Sequence, residues 1–253
     1  MADDLSGVKL GKLQAKHLRG LPTFGHYAAQ VPTAPASVIN SDKLRHLGQM
    51  ANDQLGDCTC AAVGHAIQLW TSRTQPAEVV LSDNDIVDFY ARTCGYVRGD
   101  PLSDNGGIAS DVLAAWYKTP LDGHGLAGFA NIRPGNRADI RAGIWLFGVV
   151  YIGVQLPLAA QSGEWDLMPD KSLSGNYAPG SWGGHAIPIV DYDQDGATCI
   201  TWGALKKMSW AWLDAYCDEA YALLSRDWLD QAGHSPANFD FAALQADMLA
   251  IRQ

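Results

Sequence analysis

The stretch from Asn52 to Trp70, NDQLGDCTCAAVGHAIQLW, constrains this chain more than any other. Its apolar residues Ala62, Val63, Ala66, Ile67, Leu69 and Trp70 recur at spacings of three and four, the period of a helix with a buried face. Asp57 stands where an N-cap belongs, so the thiols of Cys58 and Cys60 fall in the opening turn. A helix start offers unpaired N–H groups and a partial positive charge, which lower a thiol's pKa and can hold an oxyanion. Thioredoxin-type redox chemistry would prefer two residues between the thiols and βαβ surroundings, and neither is present. A metal site drawn from Cys58, Cys60, His65, His185, Cys199 and Cys217 lacks the second matched pair of zinc ribbons and knuckles. The readings that remain are a nucleophile and a pair of ordinary core thiols.

A chain of 253 residues, 47% hydrophobic, can bury a large core, and one domain of two lobes is expected. Eighteen basic against 27 acidic side chains, a net of -9, argues against a nucleic-acid partner. The first 20 residues hold no apolar core of signal-peptide length, which predicts a cytoplasmic protein. The longest apolar run, from Ile144, is broken by Gly148, Gly153 and Pro157; it reads as a buried strand with its approach, not a membrane span. Five cysteines, an odd number, predict reduced thiols.

Residues 1–40, rich in Pro and Gly, read as an extended arm over the surface of a domain covering 41–253. Further helices are predicted over about 82–93, 110–118 and from Asn136, and a last one where Phe241, Leu244, Met248 and Ile251 form a stripe. Strands are predicted over 149–156, 186–192, 197–202 and from Tyr221, with a hairpin at Asp195-Gly196. Helices first and an antiparallel sheet second make an α+β order.

A catalytic thiol needs a base on a separate element. Of seven histidines, His185 stands out: it follows Trp182, Gly183 and Gly184 and opens an apolar strand, where backbone can bend and a substrate come close. His65, on the cysteine helix, is expected to pack or reach solvent. His17, His26, His46, His124 and His234 fall in surface loops.

NDQLGDC, DNGG (Asp104 to Gly107), GGHA (Gly183 to Ala186) and TWG (Thr201 to Gly203) stand in the order seen in papain-like cysteine peptidases, which the chain resembles from about Val38 to Ser225. It also resembles bacterial and phage proteins that share GDCTCAA, WGGHA and YCDEAYALLS. The resemblance implies an α+β fold with a helical lobe and a sheet lobe. It implies a Cys-His dyad acting by acyl-enzyme formation on a peptide or amide, without a cofactor or metal and with no membrane partner. The sequence carries no signal for an oligomeric state.

Family members place an amide side chain six residues before the nucleophile to join its N–H in the oxyanion site. Asn52 precedes Cys58 by six and Gln54 precedes Cys60 by six, so the two registers tie. Resemblance to bacteriocin-processing peptidases, which read Asp-Cys then small residues, favours Cys58. The family's Asn before Ser-Trp-Gly is missing: Ile200 and Thr201 stand there, leaving the Thr201 hydroxyl or a backbone carbonyl to orient His185, ahead of the more distant Asp191 and Asp193. Trp202 is expected to cover that pair, Trp182 and Gly184 to wall the cleft, and Gly106 and Gly107 to bind extended peptide backbone. The roughly 50 residues ahead of Cys58 are short for an inhibitory pro-segment plus a mature start, which fits an enzyme made without a secreted zymogen stage, and a competent dyad is expected to alkylate at one thiol fast at about pH 6. The competing reading is a papain-like binding or structural module without activity.

Overall fold

The computed structural model describes residues 5, 7–16, 18, 20–25, 33–163, 165–167 and 171–229, and the structural statements below concern these. Helix α1 (Cys58–Thr74) is the axis of the molecule: every residue from Cys58 to Thr71 is buried. Sequence periodicity predicts a single buried face, yet a helix packed on all sides hides its polar residues too. Gln68 Nε2 accordingly donates to His46 O at 2.6 Å, and Thr71 Oγ1 to Ile67 O at 2.8 Å. Helix α2 (Asp83–Cys94) starts on a reciprocal Ser82/Asp85 capping box and stops at Gly95 in the left-handed region. Helix α3 (Ala109–Lys118) packs Trp116 on Trp70, their rings stacked 5.9 Å apart.

The second lobe is built from β1 (Leu126–Ile132), α4 (Arg137–Phe147), β2 (Val150–Leu156), β3 (Gly183–Tyr192), β4 (Gly196–Thr201), β5 (Ala204–Ser209), α5 (Trp210–Tyr216) and β6 (Cys217–Ser225). The six strands form one sheet in the order β1-β6-β2-β3-β4-β5, every neighbouring pair antiparallel. Side-chain alternation divides the core between its faces. Tyr151, Ala186 and Val190 pack with α1, while Val150, Ile152, Ile187 and Ile189 pack with α4 and α5. With both faces covered, β2 and β3 become nearly continuous apolar runs, which is why they are legible in the sequence. Strands β1 and β5 and helix α5 are not predicted from it. Strand β5, ALKKMS, is an edge strand whose Lys206 and Lys207 guard against further pairing and erase the apolar pattern. The stripe from Phe241 to Ile251 lies outside the described residues. Among the described residues no helix is long and apolar enough to cross a membrane.

Between β4 and β5, Trp202 and Gly203 turn the chain with φ of 44° and 76°. Two consecutive positive φ angles are the signature of a two-residue type I′ hairpin, and Trp is an uncommon residue for its first position. At the end of α4, Gly148 has φ of 78°, and a Cβ there would lie 2.8 Å from the Trp228 ring, which is tied through Nε1 to Leu146 O. Gly148→Ala is therefore expected to cost about 2–4 kcal/mol, strain and overpacking together. Urea unfolding checks this; a loss under about 0.5 kcal/mol would contradict it.

Candidate active site

Cys58 is the first residue of α1, 1% exposed, with backbone groups of Ala186 and Gly11 against its sulfur. Asp57 takes the N-cap position, but its side chain makes no capping bond. Both its oxygens are buried without a hydrogen-bond partner among the described residues. The expected cap is thus present in place and absent in function, and burial leaves the carboxyl at about 8.

Strand β3 carries His185 to the same spot. Cys58, Asn52, His65, His185, Thr201 and Trp202 all line one cavity of about 10 Å³, room for roughly a single water. His185 Nε2 lies 2.8 Å from Thr201 Oγ1, and the imidazole stacks on Trp202 with centroids 4.3 Å apart and planes 15° from parallel. Its other nitrogen, Nδ1, is buried and has no hydrogen-bond partner among the described residues. Trp202 in turn leans on Trp182 at 5.7 Å and meets Trp165 edge-on at 6.1 Å. The left-handed turn at Trp202 is what lays its ring on the imidazole, a case of backbone strain stored beside a site.

The two registers left open by the sequence separate in space. Asn52 is buried in the Cys58 cavity, its Nδ2 donating to Leu55 O at 3.0 Å. Gln54 is exposed and reaches only Asp53, so it does not join a site with Cys60. Cys60 points into the helical core, its Sγ 3.6 Å from Thr93 Oγ1. His65, expected to pack or reach solvent, is buried at the cavity wall with Nδ1 3.5 Å from Gln68 Oε1. Asp191 and Asp193 are engaged elsewhere, with Asn40 and Ser41 and with Lys207 respectively.

The cleft is not open. Residues 9–13 of the N-terminal arm run through it as an extended strap. Gly107 N donates to Gly11 O at 2.8 Å, Leu13 N to Gly107 O at 2.9 Å, and Lys12 N to Gly184 O at 3.1 Å. A Cβ on Gly11 would overlap the Gly56 carbonyl, one on Gly106 the Gly11 carbonyl, and one on Gly184 the Lys12 carbonyl. Gly107 and Gly184 thus bind extended backbone, with Gly106 leaving room for it, and the backbone in place is the chain's own. Asp104 braces this wall, accepting from Gly56 N at 3.0 Å and from Tyr90 OH at 2.8 Å, while Tyr90 OH accepts from Gly106 N at 2.7 Å. The docked arm counts against an enzyme made without a zymogen stage: a strap needs only a few residues if glycines let backbone meet backbone, so segment length was the wrong measure.

Closure sets the electrostatics. Burial pushes the Cys58 thiol up to about 12 and the His185 imidazole down to about 3, so the pair is neutral under the strap. Fast alkylation at pH 6 is accordingly not expected of the closed form.

Three buried groups shape stability against pH. His185 and His65 sit at about 3 and about 4 instead of 6.5. The unfolded chain takes up their protons first, so their contribution is complete above about pH 6.5 and is lost as pH falls. Asp57 is raised from 3.8 to about 8, so its contribution is complete below 3.8 and is lost as pH rises through 8. Of these three, only Asp57 acts between pH ~6.5 and ~8, where it lowers stability by up to about 1.4 kcal/mol per unit. Asp57→Asn is expected to flatten that limb in urea midpoints measured at pH 6, 7 and 8. Equal declines in both proteins would contradict the assignment.

At the level of sequence no family model and no curated protein matches the chain. Solved structures do match. Xylellain, a cysteine protease from Xylella fastidiosa, is similar with a TM-score of 0.65 and 12% identity over 88% of this chain and 98% of that one. The fold is papain-like. Procathepsin L 3 of Tenebrio molitor (TM-score 0.57, 14% identity, 87% of this chain and 77% of that one) is also similar. So is the ragweed Amb a 11 cysteine protease in its proform (0.56, 13%, 81% and 70%). The papain-like architecture has α1 as its central helix, the six-stranded sheet in its second lobe, and the cleft between them where Gly107 and Gly184 face the strap.

Sequence reasoning missed Gly11, Lys12, Asp104 and the acidic pair Asp218 and Glu219. The signals were present: a glycine inside the arm's VKLGKLQAK, and two carboxylates opening an otherwise apolar strand.

Proposed function

We propose that this protein is a cysteine hydrolase acting on peptide or amide bonds, with Cys58 as nucleophile and His185 as its base. The observation that carries this reading is that a thiol at a helix start and an imidazole fixed by Thr201 and Trp202 line one cavity. With the strap withdrawn, water reaches the pair and the thiol proton passes to His185. The thiolate then attacks the carbonyl carbon, forming a C–S bond, and the carbonyl electrons move to oxygen beside the Cys58 N–H and Asn52 Nδ2. Collapse expels the amine, which takes the proton from His185, and water delivered by His185 hydrolyses the thioester. Thr201 holds the ring in the orientation an amide supplies in the family pattern, and Trp202 keeps water from that hydrogen bond. Gly106, Gly107, Trp182 and Gly184 form the walls that bind substrate backbone. The strap fits a self-blocking segment, and two of the similar structures are themselves proforms.

The test is a peptidyl electrophile applied to the full-length Gly11→Val variant, followed by peptide mass spectrometry. One adduct on Cys58, absent after His185→Ala, is expected. An adduct on Cys60, or none, would overturn the reading. Complete lack of reaction would favour an inactive papain-like scaffold, the alternative to which a threonine orienter in place of an amide points.

A further inference from the structure

Lys12 is an unusual residue to bury, and its side chain has no solvent exposure. Its Nζ lies 2.8 Å from Asp218 Oδ2, 3.0 Å from Glu219 Oε1 and 3.1 Å from Leu13 O. The receiving site is built. Gln155 Nε2 donates to Asp218 Oδ2 at 2.6 Å, and Tyr221 OH to Glu219 Oε2 at 2.7 Å, so both carboxylates are held in place. Gly153 lies inside β2, where glycine costs stability, and a Cβ there would overlap the Lys12 stem. The missing side chain is the room the lysine occupies.

The charges are unbalanced. Two carboxylates face one ammonium, and Asp218 Oδ1 is buried with no hydrogen-bond partner among the described residues. When the strap leaves, Asp218 and a Glu219 that is only 4% exposed are left beside each other without a cation. Such a pair favours whatever brings positive charge back. Lys12 is held by its own N–H on Gly184 O and by the bonds of its neighbours Gly11 and Leu13 to Gly107, which any extended peptide can make, and Gly11 lays its backbone on the Cys58 sulfur. A substrate following the same path delivers a side chain to the same place.

We propose that Asp218, Glu219 and Gln155 form a specificity pocket for a lysine or arginine of the substrate, one residue from the peptide unit over Cys58. This rests on the hydrolase reading above. Arginine, with five donors in a fork, can use the acceptor that Lys12 leaves idle and is expected to bind at least as well as lysine.

The experiment uses the full-length double variant Gly11→Val/Lys12→Ala, whose strap is displaced and has no lysine at position 12. Fluorescent nonapeptides with the sequence of residues 8–16, bearing Lys, Arg, norleucine or Glu at the position of Lys12, are titrated by anisotropy. Lys and Arg are expected to bind at least about tenfold more tightly than norleucine, and Glu more weakly still. Adding Asp218→Asn and Glu219→Gln is expected to bring Lys and norleucine within about twofold. Equal binding of Lys and norleucine to the double variant would overturn the pocket. Peptidyl electrophiles with the same side chains then report on Cys58. Lysyl preference in both assays supports the proposal. Lysyl preference in binding, with no electrophile reacting at Cys58, would leave a cation-selective groove but overturn the hydrolase reading and the pocket's role as a substrate site.

Discussion

Carboxamidomethylation of Cys58 at pH 7 is expected to run at least about 100-fold faster in Gly11→Val than in the native chain. The side chain of valine cannot share space with the Gly56 carbonyl, so the strap's seat is lost while both cleft walls keep their own residues. The strap is held by three main-chain bonds around Gly107 and Gly184 and by the Lys12 ion pairs. At about 1 kcal/mol net for each such bond, losing them shifts the open fraction by about 3 kcal/mol, or roughly two decades. Lys12 keeps its charge in the closed state: burial opposes it, but Glu219 and Asp218 outweigh that and raise its pKa above the ordinary value. The Lys12 ammonium therefore stays charged at neutral and mildly alkaline pH, and opening by alkali is not expected. Quantitative mass spectrometry of the Cys58 peptide over time measures the ratio. A ratio within threefold of one would show that the strap does not control access.

In the opened Gly11→Val background, Cys58→Ala is expected to lower hydrolysis of an amide substrate by about 10⁴-fold or more, and His185→Ala by nearly as much, because the two act as a unit. Cys60→Ala should change the rate by less than about threefold, since its sulfur lies in the helical core near Thr93. Thr201→Val is expected to fall between, at about 10-fold, with the loss in kcat: it frees the imidazole to rotate yet leaves the Trp202 stack in place. Steady-state rates on a fluorogenic lysyl amide compare the four. Loss of activity in Cys60→Ala with retention in Cys58→Ala would reverse the assignment of the nucleophile.

Much of the scaffold was legible because burial writes a period into sequence. Helices α2, α3 and α4 begin within one residue of expectation, and α2 and α4 do so on polar caps, Ser82 and Asn136. Strands β2, β3 and β4 stand out as β-branched runs with an Asp-Gly turn. Where burial was incomplete the pattern faded, as at edge strand β5. Motif order pointed to the two residues, Cys58 and His185, that line one cavity, while spacing alone left Cys58 and Cys60 tied and only the resemblance favoured Cys58. Residues 58 and 60 share a helical turn, and only the packing of β3 against α1 decides which one meets His185. The strap was illegible for a different reason. Its affinity lies in main-chain hydrogen bonds and in glycines that permit close approach, and neither leaves an apolar pattern. Lys12 read as one more charge in a charged arm, because a buried ion pair is defined by partners 206 residues away.

The account turns on Cys58 and His185 becoming an ion pair once the strap is displaced. The direct measurement is the pH dependence of Cys58 alkylation in Gly11→Val, with and without His185→Ala. With His185 present, the rate should already be on a plateau near pH ~6, well below the ~8.5 of an ordinary thiol, and the plateau should vanish in the His185→Ala protein. A single rise centred at pH ~8.5 or above, identical in both proteins, would contradict it.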